Sequence, residues 1–203
     1  SWNFGGAPSL GVSGGALQFN SFNAAGSPAG TPWVHMDGGS AWEAEVSGTT
    51  SYTLEMEVRV DEAVGGMIIW AGNGANRLIL RVGTGNISAD GPGGELDTSD
   101  NSAAAIALRI AYDGGASTYD IYRNGTLVGD GIAPSAGDGN NRLILFDCCG
   151  STGARGEMEY LRWTATGAHD PGTASSTFDH ALEFETDGEI PSVEGAADGW
   201  AEV

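Results

Sequence analysis

Two pairs of glutamates are spaced as glycoside hydrolysis would require. Glu55 and Glu57 are two residues apart, as are Glu157 and Glu159, in segments of alternating polarity. Such residues share one face of an extended strand, about 6.8 Å apart. Glycosidases hold two carboxylates about 5–5.5 Å apart for retention and about 6.5–9.5 Å apart for inversion. Glu157 and Glu159 are therefore candidate catalytic residues, and a solvated strand face is the alternative for both pairs.

Tryptophan side chains offer a second kind of chemistry, the stacking of sugar rings. Trp42 and Trp70 lie beside segments rich in glycine, serine and asparagine. An exposed indole with polar neighbours forms a platform for a sugar. We therefore expect Trp42 and Trp70 to be ligand-binding residues, together with Asp147, which precedes the cysteine pair. A place in the core is the alternative for each tryptophan.

The two cysteines, Cys148 and Cys149, are adjacent in the stretch DCCGSTGARG. Two thiols without a nearby histidine fall short of the four ligands of a structural zinc site. Neighbouring Cα atoms lie about 3.8 Å apart, closer than the usual ~4.4–6.8 Å of disulfides, so a bond between the pair would be strained. In a continuing strand the two side chains would face opposite ways and could bridge to other chains. Both arrangements remain open at this point.

The composition excludes several classes of partner. Asp and Glu number 27 against 8 basic residues, all of them arginine, which gives a net charge of −19. Such a field repels nucleic acid and anionic membrane surfaces, and it is compatible with neutral sugars and divalent cations. The sequence contains no lysine, which excludes Schiff-base chemistry on lysine. No apolar stretch approaches the roughly 20 residues that span a bilayer, so we expect no membrane insertion.

Sequence features that bear on location point outside the cell. Sequons at Asn86 and Asn124 would accept N-linked glycans in a secreted eukaryotic protein. The sequence begins with Ser1 and contains no signal peptide, so we expect a processed or excised chain. We expect the protein to be secreted and to act in the extracellular space or at the cell surface.

Short strands separated by turns must position all of these residues. Alternating polarity and β-branched runs predict strands at residues 15–20, 42–46, 52–60, 67–72, 76–82, 105–112, 118–131, 141–147 and 156–167. Asn124-Gly125 predicts a two-residue type I′ hairpin. Because no amphipathic helix is evident, the predicted fold class is all-β: a two-sheet antiparallel jelly-roll sandwich with an extended C-terminal tail.

One segment of the sequence occurs twice, and a second pattern recurs approximately. The pentapeptide NRLIL occurs at 76–80 and at 141–145, as expected of two strands in comparable core positions. The pattern GALQFN…AWEAEV near the N-terminus returns as HALEFE…GWAEV between 180 and 203. We therefore predict a domain at 1–170 and a linker with a strand-like tail at 171–203. The tail would be the start of a second copy or a strand exchanged between subunits. A tail that folds back on its own domain is the alternative.

The order of the strands resembles the laminin-G-like branch of the concanavalin A-like lectin and glucanase jelly rolls. The residues that carry the resemblance are GALQFN, YTLEMEVRVDEAVGGMIIWAG, ALRIAYDGGASTYDIYRNGTLVGDG and LILFDCCGSTGARGEMEYLRWT, within about residues 1–170. The family's hairpin motif Y-x-N/D-G-x-L-V here runs from Tyr122 to Val128. The resemblance implies a jelly roll in a family of glycan-binding, adhesion and matrix domains, glycanases and lyases. The glucanase motif E-x-D-x-E is completed by neither LEMEV nor GEMEY.

The resemblance implies two further features. Several branches of the family bind calcium, which needs Asp and Asn oxygens that converge from loops. By composition, Asp97, Asp100 and Asp138 are candidate ligands for calcium. The family also has a tight Gly/Ser-rich turn at the position of the cysteines. This favours a strained vicinal disulfide between Cys148 and Cys149, with an intermolecular bridge as the alternative.

These features predict a secreted, non-enzymatic binding or adhesion module whose ligand is a glycan. The second prediction is a structural subunit of an extracellular fibre or matrix, a homopolymer assembled by β-strand exchange through the tail. The third prediction is a polysaccharide hydrolase or lyase. No cofactor other than calcium is expected.

Overall fold

The computed structural model describes residues 9–22, 26–28, 34–36, 41–91, 93–146, 152–171, 178–184 and 201–202. Within these residues the chain forms two antiparallel β-sheets that pack face to face as a sandwich, which confirms the predicted fold class. Sheet A consists of β1 (Ser9–Ser13), β2 (Ala16–Asn20), β4 (Tyr52–Val64), β9 (Ile106–Asp113), β10 (Thr118–Arg123), β11 (Thr126–Ile132), β14 (Gly153–Thr164) and β15 (His180–Glu183). Its order is β1-β2-β14-β4-β9-β10-β11, and β15 pairs with β14.

Sheet B lies on the other side of the core. It consists of β3 (Val34–Met36), β5 (Met67–Asn73), β6 (Asn76–Val82), β7 (Ile87–Ala89), β8 (Gly94–Asp97), β12 (Ser135–Ala136), β13 (Asn141–Phe146) and β16 (Ala201–Glu202). Its order is β16-β3-β13-β5-β6-β7-β8, and β12 pairs with β6. One short helix, α1 (Ala41–Glu45), precedes β4. Among the described residues, no helix has the length and apolar character needed to cross a membrane.

Alternation along the strands places the core between the two sheets. Every second residue of β4 from Leu54 to Val60 is fully buried in the core. From sheet B, Met67, Ile69 and Ala71 of β5 point into the same core and are also fully buried. Burial of each large apolar side chain contributes about 1.5–3 kcal/mol. The residues between them in each strand form the outer faces of the sheets.

The segment Ala41–Glu45 is helical, so the strand predicted at residues 42–46 is wrong. Trp42 of α1 and Val46, which follows the helix directly, are four residues apart and fully buried, whereas Glu43 and Glu45 are exposed. The Trp42 Nε1 atom donates a hydrogen bond to the carbonyl oxygen of Gly72 at 3.0 Å. An alternating five-residue pattern fits a strand or a helical turn equally well. Burial of the indole against sheet B selects the helix.

The predicted hairpin at Asn124-Gly125 is confirmed. β10 and β11 pair across it, with Arg123 opposite Thr126. Asn124 has a φ of 49° and Gly125 a φ of 77°, as a type I′ turn requires at both central positions. The Asn124 Oδ1 atom accepts a hydrogen bond from the backbone N–H of Ala107 at 2.9 Å, which ties the turn to β9.

The chain after β14 crosses the outer face of sheet A. The Thr53 hydroxyl donates to the carbonyl oxygen of Gly167 at 2.8 Å and accepts from the backbone N–H of His169 at 2.9 Å. Arg109 Nη1 donates to the carbonyl oxygen of His169 at 3.2 Å. The Tyr122 hydroxyl donates to the Asp170 carboxylate. Residues 166–170 therefore lie over β4, β9 and β10.

The tail then returns to the sandwich through β15. Its residues pair antiparallel with β14, so that His180 lies opposite Trp163, and their rings stack with centroids 4.0 Å apart. Phe184 is buried in the core cluster. β2 pairs with an earlier part of β14, with Leu17 opposite Met158. The two related segments of sequence therefore both form strands that pair with β14, and the described part of the tail packs on its own domain.

Candidate functional site

Trp70 is the one of the three described tryptophans that reaches the surface. Trp42 and Trp163 are buried, at 0% and 1% exposure, whereas Trp70 is half-buried on the outer face of sheet B. The prediction of a sugar platform at Trp42 is therefore corrected, because its ring is enclosed by the core and has no face open to a ligand. Trp70 keeps the position that a platform needs.

The two NRLIL segments lie on the two sides of β5, around Trp70. β6 begins with Asn76 and β13 with Asn141, the first residues of the two copies. Both strands pair antiparallel with β5. They therefore run parallel to each other, two strand spacings or about 9.6 Å apart. The leucines of both copies point into the core, so the arginine and isoleucine of each copy lie on the outer face.

The register brings both arginines to the indole of Trp70. Gly72 of β5 lies opposite Arg77 on one side and opposite Arg142 on the other. A side chain on Gly72 would start 3.6 Å from Trp70 Nε1, so the indole extends over the space that glycine leaves. The guanidinium carbons of Arg77 and Arg142 lie 4.6 Å and 5.0 Å from the indole centroid. These are cation–π distances. We call Trp70, Arg77 and Arg142 the Arg–Trp–Arg cluster.

Three N–H donors of the Arg–Trp–Arg cluster have no acceptor among the residues that the structure describes. The Trp70 Nε1, Arg77 Nε and Arg142 Nε atoms are buried and form no hydrogen bond within the structure. Buried polar groups are almost always hydrogen-bonded, so three orphaned donors at one place are unusual. All three are donors, and an acceptor-rich ligand would complement them.

The two arginines of the cluster differ in their ion pairs. Arg142 forms an ion pair with Asp138, whereas Arg77 forms no ion pair with any residue that the structure describes. The other six arginines, like Arg142, are paired with carboxylates: Arg59 with Asp61 and Glu157, Arg81 with Asp90, Arg109 and Arg162 with Glu55, Arg123 with Asp97, and Arg155 with Glu62.

Three isoleucine side chains border the cluster on the same face of sheet B. Ile79 of β6 and Ile144 of β13 lie opposite Trp70 on its two sides, and Ile68 precedes it on the same face of β5. Ile79 is half-buried, and Ile68 and Ile144 are buried. The cluster therefore joins an aromatic ring, aliphatic side chains and two cations on one sheet face. A sugar presents C–H faces together with polar groups, and these are complementary features.

Glu157 and Glu159 do not form the simple pair that their spacing predicts. The register of β14 against β4 shifts between Met158 and Tyr160, so Glu159 lies in a bulge. Glu159 is exposed. Glu157 accepts a hydrogen bond from the side chain of Gln18 at 3.2 Å and forms an ion pair of 2.8 Å with Arg59. In this arrangement Glu157 serves as an ion-pair partner, and its catalytic role stays a prediction.

Glu55 is the centre of a polar network on the outer face of sheet A. Its carboxylate accepts hydrogen bonds from Arg109 Nε at 2.6 Å, Arg162 Nε at 3.0 Å and the Tyr160 hydroxyl at 3.1 Å. Phe178 covers the network, with its ring centroid 4.6 Å from the Arg162 guanidinium carbon. Burial alone would raise the pKa of Glu55, but the hydrogen bonds and charges of the two arginines outweigh it and lower the pKa.

The pKa values of two neighbours of Glu55 are shifted in the opposite direction, upwards. Burial raises the pKa of Glu57, and the charges of Glu159 and Glu55 raise it further. Burial, together with the charge of Glu55, raises the pKa of Tyr160 to about 12. Glu55 and Glu57 thus differ in their pKa values although they share one face of β4. The difference follows from the position of the arginines, which lie closer to Glu55.

The predicted calcium ligands have protein partners. Asp97 accepts from the Ser99 hydroxyl at 2.8 Å and pairs with Arg123 at 3.2 Å. Hydrogen bonds from the backbone and hydroxyl of Ser102 lower the pKa of Asp100, and Asp138 pairs with Arg142 beside Trp70. Among the described residues no group of three or more His, Cys, Asp or Glu side chains is arranged to hold a metal ion. Calcium binding stays a prediction.

The remaining predicted residues divide between two turns and the cysteine segment. Asn86 is half-buried in the turn between β6 and β7, where its backbone oxygen accepts from Gly83 at 2.9 Å. This turn borders a cleft of about 360 Å³ lined by Ala63, Gly65, Gly66, Arg81, Gly83, Thr84, Asn86 and Ser88. Asn124 is exposed in its hairpin. Asp147, Cys148 and Cys149 lie outside the described residues.

Sequence reasoning missed Arg77 and Arg142, although the signal was present in the repeated NRLIL. An arginine directly before a core leucine must lie on the outer face of its strand. That the two copies flank one tryptophan depends on the pairing of distant segments. Only the tertiary structure shows that pairing.

Comparisons with known proteins agree with the two-sheet architecture. No protein-family model and no curated protein matches the sequence. The chain is similar to the sialidase of Trypanosoma rangeli in complex with 2,3-difluorosialic acid, at 13% identity over 79% of this chain and 27% of that chain, with a TM-score of 0.55. It is also similar to the NanB sialidase of Streptococcus pneumoniae, at 16% identity over 82% of this chain and 28% of that chain, with a TM-score of 0.52.

A third similar structure is an alginate lyase from Corynebacterium sp., at 12% identity over 78% of this chain and 81% of that chain, with a TM-score of 0.46. The two sialidase structures show that the β-sandwich fold of this chain occurs in known proteins. The chain spans only 27% and 28% of the length of those sialidases. At these identities the likeness concerns the fold alone.

Proposed function

We propose that this chain is a glycan-binding module of the laminin-G-like type that acts outside the cell without catalysing a reaction. The observation that carries the proposal is the half-buried indole of Trp70 on the outer face of sheet B, beside Ile79 and flanked by two arginines. Carbohydrate-binding surfaces combine an aromatic ring with a few hydrogen-bonding groups on a rigid scaffold. A central strand of a sheet is such a scaffold.

The placement of the carboxylates supports binding over catalysis. Glu55 is held by Arg109 and Arg162, and Glu157 is held by Arg59. A hydrolase needs one carboxylic acid that can donate a proton and a second, free carboxylate at a fixed distance. Both glutamates are engaged with arginines, which favours a structural role for them.

The test is a binding titration against a panel of purified oligosaccharides, with Trp70→Ala as the critical variant. We expect wild-type protein to bind at least one member of the panel, and the variant to bind it at least tenfold more weakly. Leu127→Ala is the control, because Leu127 is an exposed apolar residue of sheet A. Thermal unfolding of each variant verifies that it is folded. Equal binding by wild-type protein and Trp70→Ala would remove the basis of the proposal.

A second proposed function is a fibre or matrix subunit that assembles by exchange of the tail. The observation that favours it is the pairing of β15 with β14, with Ala181 opposite Arg162. A strand that adds to a sheet through its backbone can pair with the same strand of a neighbouring molecule.

Light scattering over a range of protein concentrations tests this second function. The full chain should form multimers, and Ala181→Pro should reduce them, because proline removes a backbone donor from β15. A full chain that stays monomeric at every concentration would rule out assembly through the tail.

A further inference from the structure

We propose that the Arg–Trp–Arg cluster recognises the carboxylate of an acidic sugar, with Arg77 as its principal partner. This inference rests on the proposed glycan-binding function and adds the chemical class of the ligand. A carboxylate accepts paired hydrogen bonds from a guanidinium, and the adjoining sugar ring stacks on an indole. The cluster provides one indole with two guanidinium groups, one from the strand on each side of β5.

The first support is the repeated sequence that builds the cluster. Both copies of NRLIL pair with β5 in the same direction and in equivalent register, so Arg77 and Arg142 lie opposite the same residue, Gly72. A core strand needs only the leucines of this pentapeptide to be apolar. The packing of the core leaves the outward arginine of each copy unexplained, and a shared ligand between the two strands explains both.

The second support is the unpaired state of Arg77 in a very acidic chain. The net charge is −19 with 27 acidic residues, and every other arginine has a carboxylate partner. Arg77 instead stacks on Trp70 and forms no ion pair with the described residues. The charge of Arg77 helps to lower the pKa of Asp90, but the Asp90 carboxylate is paired with Arg81. The Arg77 guanidinium, which has no ion-pair partner among the described residues, is therefore available to a carboxylate from a ligand.

The third support is the group of orphaned donors, which also indicates how the ligand enters. The Trp70 Nε1, Arg77 Nε and Arg142 Nε atoms are buried and have no acceptor among the described residues, and both guanidinium groups lie at the indole ring. A carboxylate reaches these donors when the Arg77 guanidinium swings off the indole. The same movement opens the indole face to the sugar ring. The stacked arrangement is therefore the closed form of the site.

Asp138 makes the two arginines unequal. It forms an ion pair with Arg142 and would compete with a ligand carboxylate for that guanidinium. Removal of the Asp138 charge frees Arg142 and should strengthen the binding of an acidic ligand. A merely structural role of the cluster predicts no such gain.

The charge of the whole chain narrows the ligand class further. A protein with a net charge of −19 repels densely charged polyanions at long range. The cluster offers only two cations, of which one is already paired. We therefore assign it to sugars that carry single carboxylates, and not to polysulfated chains.

The experiment is calorimetric titration with oligosaccharides that contain uronate or other sugar carboxylates, each paired with its methyl ester. The ester keeps the ring and hydroxyls and removes the charge. Wild-type protein should bind at least one acid about tenfold more tightly than its ester. Arg77→Gln should abolish that preference. Asp138→Asn should increase the affinity for the acidic oligosaccharide about threefold. Arg155→Gln is the control, because it removes one positive charge from sheet A, as Arg77→Gln does from sheet B. It should leave the affinities for the acid and for the ester unchanged. Thermal unfolding verifies that each variant is folded.

The outcomes separate this inference from the proposed function. Equal binding of acid and ester, both lost in Trp70→Ala, would overturn the carboxylate assignment and leave glycan binding intact. A glutamate-rich peptide that binds as tightly as the acidic sugar would overturn the sugar class. No binding of any panel member by wild-type protein would overturn both proposals.

Discussion

At the scale of single residues, Glu55 shows how this chain uses its few cations. The residue Glu55 is only 6% exposed on a sheet face, and Arg109 beside it is 7% exposed. The burial of one such charge alone is costly, and the pair persists because each group compensates the other. The described arginines are therefore mainly structural partners of carboxylates, which makes the unpaired Arg77 the exception.

Glu55→Gln should destabilise the protein by about 3 kcal/mol, because it leaves the buried Arg109 without a counter-charge. The pKa of Glu55 is lowered from its ordinary 4.5. Its contribution to stability is thus full above pH 4.5 and is lost as the pH falls through the lowered value. Urea unfolding should show a difference between wild type and variant that shrinks below pH 4.5. Glu62→Gln, in the more exposed pair with Arg155, should cost less than about 1 kcal/mol.

Glu57→Gln should have the opposite effect on stability. The pKa of Glu57 is raised above 4.5 by burial and by the charges of Glu159 and Glu55. The ionised form therefore destabilises the fold at neutral pH, and this cost disappears as the pH falls through the raised value. At pH 7 the variant should be more stable by about 0.5 kcal/mol, the size of a like-charge contact on a sheet. A gain that persists unchanged at pH 3 would show that charge is not its cause.

At the scale of secondary-structure elements, the turn at Asn124-Gly125 follows directly from its sequence. Gly125 has a φ of 77°, and an L-residue with a side chain pays about 1–2 kcal/mol in this left-handed region. Gly125→Ala should lower the free energy of unfolding by that amount. Gly85→Ala is the matched control, because an added Cβ there meets no atom within 4 Å. The control should change stability by less than about 0.5 kcal/mol. If the two substitutions lowered the free energy of unfolding equally, the left-handed conformation of Gly125 would not be the cause of the loss.

The elements differ in how far their sequences predict them. β6 matches its prediction at both ends and β5 and β13 within one residue, because long alternating runs have a clear period. β7, β8 and β12 have two to four residues, too few for a period to emerge, and they were missed. α1 was interpreted as a strand because Trp42 and Val46, four residues apart, fit both the two-residue period of a strand and the 3.6-residue period of a helix.

The candidate site was only partly predictable for a related reason. Trp70 was proposed from its own neighbourhood, whereas Arg77 and Arg142 acquire their role from the register of three strands. The pairing of Gly72 with Arg77 is local, because only two residues separate β5 from β6. The pairing of β13 with β5 joins segments about 70 residues apart, and local patterns do not encode such a register.

At the scale of the whole molecule, electrostatic repulsion limits stability. With 27 acidic and 8 basic residues, most carboxylates have no arginine to pair with, and the compact fold brings them together. An increase in NaCl from about 0.1 M to 1 M shortens the screening length from about 10 Å to about 3 Å. We expect the midpoint of thermal unfolding to rise by several degrees. A fall would show that the ion pairs around Glu55 and Asp90 outweigh the repulsion.

A comparison of calcium with magnesium separates binding at a specific calcium site from the general screening of charge by salt. The predicted ligands Asp97 and Asp138 are paired with arginines, so a calcium ion would have to displace a protein partner or use residues outside the described ranges. A ligand that binds only the folded state raises its stability according to the ratio of its concentration to Kd. If no specific site exists, about 1 mM CaCl₂ in 0.1 M NaCl should leave the unfolding midpoint within a degree of that with MgCl₂. A rise of several degrees with calcium alone would demonstrate the calcium site that the sequence predicts, and Asp97→Asn and Asp138→Asn would show which of these carboxylates contributes to it.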